Sequence, residues 1–233
     1  MSASHRLPVA LLGLSAALFF LTLYWTFFRA PLEAEMGIVQ KIFYLHVPAA
    51  ISMQLLFVAC GIASLVVLVK GSQRADAFAV AAAEVGVALA LCVLISGPLW
   101  ARKAWGHYWE WEPRLTLTLV LTLLFMAYTA LRGFGGADPL TTRIAAGIAI
   151  AGIPAIYLVR VAVEWWGGTH PQVVWKGGLE NLDMRIAFGL GIATFVTLAG
   201  GLVILRTRIE RARQDLESLA LDAAARYDLE DSA

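Results

Sequence analysis

Six blocks of apolar residues, each long enough to cross a bilayer, dominate this 233-residue chain. They cover residues 7–28, 47–69, 77–100, 113–131, 144–163 and 186–205. At 1.5 Å rise per residue, about 20 residues match a hydrocarbon thickness of about 30 Å. Backbone polar groups in hydrocarbon must pair within their own segment, so the blocks predict helices rather than open strands. The expected class is an all-α, polytopic integral membrane protein with six transmembrane helices. The first block follows Arg6 directly, is longer than a usual signal core and lacks a small-residue cleavage site, so it reads as a retained helix. Pro48 and Pro113 stand where a helix start tolerates a missing N–H. Cys60 and Cys92 fall inside apolar blocks and read as small buried hydrophobes. No CxxCH is present, so the chain is not itself a substrate for covalent haem attachment. A net charge of +1 gives no case for nucleic acid, and no P-loop marks an energy source in this chain.

Six spans return the chain to the face on which it starts. Lys and Arg occur on both sets of connecting segments. The short turn with Lys70 and Arg74, and the cluster Arg206, Arg208, Arg211 and Arg213, favour both termini in the cytoplasm. The expected organisation is a six-helix domain over residues 1–205 and a cytoplasmic tail over 206–233. The tail is mixed-charge and Ala-rich, and it reads as a continuation of the sixth helix that frays toward a solvated acidic end, Asp228 to Asp231.

Three segments on the opposite face carry the chemistry. The first, Met36 to His46, spaces Ile38, Val39, Ile42 and Phe43 as an interfacial helix that delivers His46 to the mouth of the second span. The second runs from Trp100 to Thr116 and the third from Glu164 to Lys176. Seven of the eight tryptophans lie in these last two segments, whereas an aromatic belt populates both membrane faces. Trp25, Trp100 and Trp175 read as interfacial anchors. Trp105, Trp109 and Trp111, with Tyr108 between them, are too dense for anchoring alone and suit a planar ligand. Trp165 and Trp166 add a second aromatic loop. His5 reads as solvated and His107 as an interfacial polar residue. His46 and His170 both flank spans on one face, and neutral imidazole is a common axial ligand to haem iron. Zinc is the competing metal, but it needs three or four donors in a small cage. Arg102, Lys103 and Arg114 bracket the aromatic loop, where cations suit haem propionates or, more simply, lipid headgroups. Glu110 and Glu112 are available to pair with them, and Glu112 also precedes the fourth helix, whose N-terminus favours negative charge.

The run Trp105-Gly-His-Tyr-Trp109-Glu-Trp111-Glu112-Pro-Arg114-Leu-Thr116 resembles the tryptophan-rich signature of the haem-handling proteins of cytochrome c maturation. Phe43-Tyr-Leu-His46-Val-Pro-Ala-Ala50 and Val163-Glu-Trp-Trp166-Gly-Gly-Thr-His170 resemble the two histidine segments of one branch, the CcmC or haem exporter protein C family. The resemblance implies haem b held at the periplasmic face of the bacterial inner membrane. His46 and His170 would be its axial ligands, and Trp105, Tyr108, Trp109, Trp111, Glu112 and Arg114 its binding loop. It also implies transfer to the periplasmic haem chaperone CcmE, alongside the ABC transporter subunits CcmA and CcmB and the small subunit CcmD. Covalent chemistry would then occur on the chaperone, and this chain would not be an enzyme. Glu112 departs from the usual Asp of the signature, and the tail beyond residue 205 lies outside the resemblance.

Other readings remain open at this level. A haem-conducting channel needs a polar path, and the spans offer little beyond Glu84. Glu84 itself reads as reaching toward the interface or facing another helix as a protonated donor, with a structural role ahead of a role in haem passage. A purely structural subunit, or an electron-carrying cytochrome, completes the set.

Overall fold

The computed structural model describes residues 3–34, 36–135, 138–170 and 178–231, with side chains from 6 to 224. Trp175, Lys176, the side chain of His5 and the side chains of the acidic end lie outside the described residues. Six helices follow one another: α1 (Ala3–Tyr24), α2 (Phe43–Lys70), α3 (Gln73–Ala104), α4 (Pro113–Gly135), α5 (Pro139–Trp166) and α6 (Leu182–Asp231). All six are long and apolar enough to cross a membrane, as the hydropathy blocks predict. A π-helical turn, Trp25–Arg29, ends the first span, and a 3-10 turn, Ile38–Ile42, leads into α2.

The helices outrun the apolar blocks because a charge ends a hydropathy window without ending a helix. α2 starts at Phe43, so His46 lies inside its first turn, and Pro48 sits in the second turn rather than the first. Proline has no N–H for the Tyr44 carbonyl. α6 passes closely here: a Cβ on Gly191 would stand 2.4 Å from the Tyr44 oxygen. α6 continues unbroken for 50 residues, about 75 Å at 1.5 Å per residue, far more than a bilayer requires. Local signals fix the tight turns. Gly71, at φ 61°, closes α2, and Ser72 caps α3 by accepting from the Ala75 N–H at 3.3 Å. Asp138 accepts from the Thr141 N–H at 2.8 Å, with Pro139 opening α5. These exposed backbone bonds hold the Asp138 carboxyl below its ordinary range.

The core lies among α2, α3, α4 and α5. Phe57 of α2 stacks on Phe125 of α4, with centroids 3.8 Å apart and planes 5° apart, both rings fully buried. Glycines hold the edges of this pair. A Cβ on Gly86 of α3 would meet Phe57 at 2.6 Å, and one on Gly152 of α5 would meet Phe125 at 2.6 Å. α1 lies mainly against α6, joined by hydroxyls: Thr22 Oγ1 is 2.9 Å from Thr194 Oγ1, and Ser15 donates to the Thr194 carbonyl at 3.2 Å. Small and hydroxyl side chains are the usual means of holding membrane helices together.

At the end of the bundle away from the tryptophan loop, ion pairs join the helices. Arg132 of α4 meets Asp76 of α3 at 2.5 Å, and Gln214 of α6 donates to the same carboxylate at 2.9 Å. Glu84 faces α6. It accepts two hydrogen bonds from Arg206 of α6, one of them at 2.8 Å from Nη2, and Arg206 also holds Glu210 at 3.0 Å. A carboxylate within a span is tolerable when a cation and further hydrogen bonds complete it.

The ring clamp makes a stability prediction. Gly86→Ala and Gly152→Ala each force an added methyl into the stacked phenylalanines and should cost about 1–3 kcal/mol. Gly147→Ala meets no atom within 4 Å and should be neutral or slightly stabilising. Thermal unfolding of the three purified variants checks this ordering.

Candidate haem site

At the opposite end of the core, α2, α3, α4 and α5 line a cavity that opens to solvent. His46 of α2, Trp105, Tyr108, Trp109, Arg114 of α4 and His170 all line it. Residues separated by more than 120 positions are thus brought to one hollow. Apolar walls come from side chains such as Val47, Ile51, Leu94 and Leu115, as a mostly hydrophobic ligand requires. In α3, Pro98 has no N–H for the Leu94 carbonyl, and both residues face the cavity.

His46 is 8% exposed. Its Nδ1 lies 2.8 Å from Ser96 Oγ of α3. That hydroxyl donates to the Cys92 carbonyl at 2.7 Å, so toward His46 it accepts. With the hydroxyl accepting, the imidazole proton lies on Nδ1 and the lone pair on Nε2. Gly97 makes room for the ring, since a Cβ there would stand 3.3 Å from His46 Cε1.

His170 follows α5. Gly167, at φ 78°, ends the helix, and Gly168, at φ 146°, turns the chain back over the tryptophan loop. Burial, helped by the positive charge of Arg114 and by His46, depresses the His170 pKa to about 3. The ring is neutral across the physiological range, the form that binds iron. Its nearest carboxylate oxygen, Glu112 Oε1, is 3.7 Å from Nδ1. A neutral ring makes no ion pair there, and the distance is too long for a hydrogen bond. Among the described residues neither buried atom has a hydrogen-bond partner.

The tryptophan loop is folded by its own residues. Arg102 donates to the Gly106 carbonyl at 2.6 Å and lies over the Tyr108 ring at 5.7 Å. Trp109 turns into the cavity with its buried Nε1 unpartnered, an N–H suited to an acceptor on a bound ligand. Trp105 lies 6.5 Å from the His170 ring. Glu112 accepts from the Thr169 N–H at 2.8 Å and so ties this loop to the His170 segment, rather than serving only the start of α4.

Several expected site residues stand elsewhere. Arg102 and Lys103 do not line the cavity; Arg102 is occupied in the loop. Trp111 is 74% exposed and touches Trp109 edge-on at 5.6 Å. Trp165 and Trp166 are exposed beside each other and Tyr157. His107 is also outside the cavity, 3.4 Å from Glu110. Trp100 is no surface anchor: it is buried, lines the cavity and meets His46 edge-on at 5.9 Å. Arg160 of α5 and Gln54 of α2 line the cavity and were not singled out from sequence. Arg160, with Arg114, supplies the cations that Arg102 and Lys103 were expected to supply. Its sequence signal is a charge inside the fifth apolar block, 144–163.

The arrangement fits a flat, anionic, iron-bearing ligand: two neutral imidazoles, an aromatic wall, an unpartnered donor and two guanidinium groups share one apolar hollow. Among the described residues no three His, Cys, Asp or Glu gather, so two imidazoles are the donor set on offer. Gly168 makes the loop tie testable. A Cβ there would stand 2.7 Å from Glu112 Oε2, on a backbone that disfavours any side chain. Gly168→Ala should therefore release the His170 segment and cut haem content several-fold, whereas Gly133→Ala, with nothing within 4 Å, should not. Haem per protein in the purified variants measures this.

Residues 1–222 match the family model for CcmC, heme exporter protein C. The match includes most of the tail that sequence reading left outside the resemblance. The chain is 35% identical over 207 residues to the heme exporter protein C of Bradyrhizobium diazoefficiens, spanning 84% of this chain and 76% of that one. It is 32% identical over 206 residues to the protein of the same name from Rhodobacter capsulatus, spanning 84% and 83%. A putative cytochrome c biosynthesis ccmC-like mitochondrial protein of Marchantia polymorpha is 30% identical over 210 residues, spanning 89% and 90%. With its six spans and nearly its whole length matched, the chain belongs to the heme exporter protein C family.

Proposed function

We propose that this chain binds haem b at the periplasmic face of the bacterial inner membrane and hands it to the chaperone CcmE during cytochrome c maturation. The observation that carries the reading is the cavity itself, where His46, His170 and the tryptophan loop meet. Family membership supports haem handling for cytochrome c biogenesis, a transport role rather than a catalytic one. It also supports a place within the Ccm haem-export system, with CcmA, CcmB and CcmD as the other membrane components.

The cargo supplies two open axial positions on iron, a planar macrocycle and two propionates. His46 and His170 would hold the iron, Trp105 and Trp109 would face the macrocycle, and Arg114 and Arg160 would offer cations to the propionates. Lys and Arg on the turn after α2 and on α6 favour the cytoplasm for the opposite end, which leaves the cavity facing outward. A conducting channel fits less well. Below the cavity the stacked Phe57 and Phe125 fill the core, and Glu84 is committed to Arg206.

Holding and releasing haem separate in mutants. His46→Ala or His170→Ala should each remove one iron bond and move the Soret band toward a five-coordinate or high-spin form, while His5→Ala leaves it unchanged. Trp109→Ala should keep a six-coordinate spectrum at reduced occupancy yet pass much less haem to the chaperone. Haem stain on the chaperone, read beside haem content of this chain, separates the two steps. Retention of the native spectrum by both histidine variants would move attention to His107.

A further inference from the structure

The two proposed ligands differ in what stands behind them. Behind His46 is a neutral hydroxyl, Ser96 Oγ, accepting from Nδ1 at 2.8 Å. Behind His170 is a carboxylate. Glu112 is held by one oxygen only: Oε2 accepts from the Thr169 N–H at 2.8 Å and faces the Thr169 hydroxyl at 3.4 Å. Its second oxygen, Oε1, stands 3.7 Å from His170 Nδ1, and among the described residues neither of these two buried atoms has a hydrogen-bond partner. Gly168 carries no side chain that would fill the space beside the carboxylate.

Orphaned polar atoms this close in a buried place indicate a bond that one small movement completes. A shift of about 0.8 Å brings them to ordinary hydrogen-bond length. Metal-bound imidazoles almost always donate their second N–H, and a carboxylate acceptor fixes the tautomer and raises the basicity of the ligand nitrogen. A hydroxyl acceptor does this far less, because it carries no charge.

We propose that Glu112 accepts the Nδ1–H of His170 when His170 Nε2 holds iron, making His170 the stronger ligand and His46 the one that yields first on transfer. This rests on the axial assignment of the preceding section. Glu112 is thus a positioning residue that acts through His170. No covalent bond is made or broken in the chain. The step is an exchange in which His46 Nε2 leaves iron and a donor of the receiving protein takes its place, while the carboxylate-backed imidazole keeps the haem attached.

The test uses the full-length, haem-loaded protein in lipid nanodiscs, reduced to the ferrous state. In His46→Ala the iron is held by His170 alone, and resonance Raman reads the iron–imidazole stretch directly. Adding Glu112→Gln should lower that frequency. In His170→Ala the stretch belongs to His46; Glu112→Gln should leave it in place, and Ser96→Ala should move it. Carbon monoxide then reports the order of release, since it displaces the weaker ligand. The wild-type adduct should match the carbonyl spectrum of His46→Ala and differ from that of His170→Ala. An unmoved stretch in the His46→Ala background, equal shifts in both backgrounds, or a wild-type adduct matching His170→Ala would overturn the proposal while leaving the two-histidine site standing. Native spectra in both single histidine variants would overturn the axial assignment itself, and this proposal with it.

Discussion

The carboxylate of Glu112 joins two segments that otherwise have separate origins. One follows α3 and carries Trp105, Tyr108 and Trp109; the other follows α5 and carries His170. The bond from the Thr169 N–H to Glu112, at 2.8 Å, crosses 57 positions of sequence. It fixes the tryptophan wall relative to His170, beside the Trp105–His170 ring contact. A buried carboxylate needs its acceptor capacity met, and the glycine beside Thr169 lets backbone approach it closely. The physical demand of one buried charge thereby becomes the geometry of a ligand cavity.

Beneath that tie the bundle supplies rigidity in two layers. The stacked rings of Phe57 and Phe125 fix α2 to α4, and the small residues beside them let α3 and α5 close in. At the far end, arginines pair with Asp76 and Glu84 and fasten α6 to the others. At the tryptophan end the cavity forms where α2, α3, α4 and α5 have no such filling.

The spans were legible because hydrocarbon demands long apolar segments, and nothing else in the sequence imitates them. His46 and His170 were legible as the two histidines that flank spans on one face. What hydropathy hides is everything that depends on a partner far along the chain. Trp100 reads as an interfacial anchor until α2 and α3 are placed side by side, when it proves buried against Phe43 and His46. Arg160 reads as an ordinary charge near a helix end, yet its turn of α5 faces the cavity. Arg102 has the right charge in the right loop but donates to the Gly106 carbonyl, a contact that composition does not contain. Glu84 reads as a lone carboxylate because Arg206 is 122 positions away.

The central claim is that one haem is held between a helix histidine and a loop histidine. Pulsed electron paramagnetic resonance of the ferric, haem-loaded protein, produced with 15N-labelled histidine, tests it most directly. The account predicts low-spin iron coupled to two labelled imidazole nitrogens, with one coupling lost in His46→Ala and the other in His170→Ala. High-spin iron in the native protein, or a single histidine coupling that survives in both variants, would contradict it.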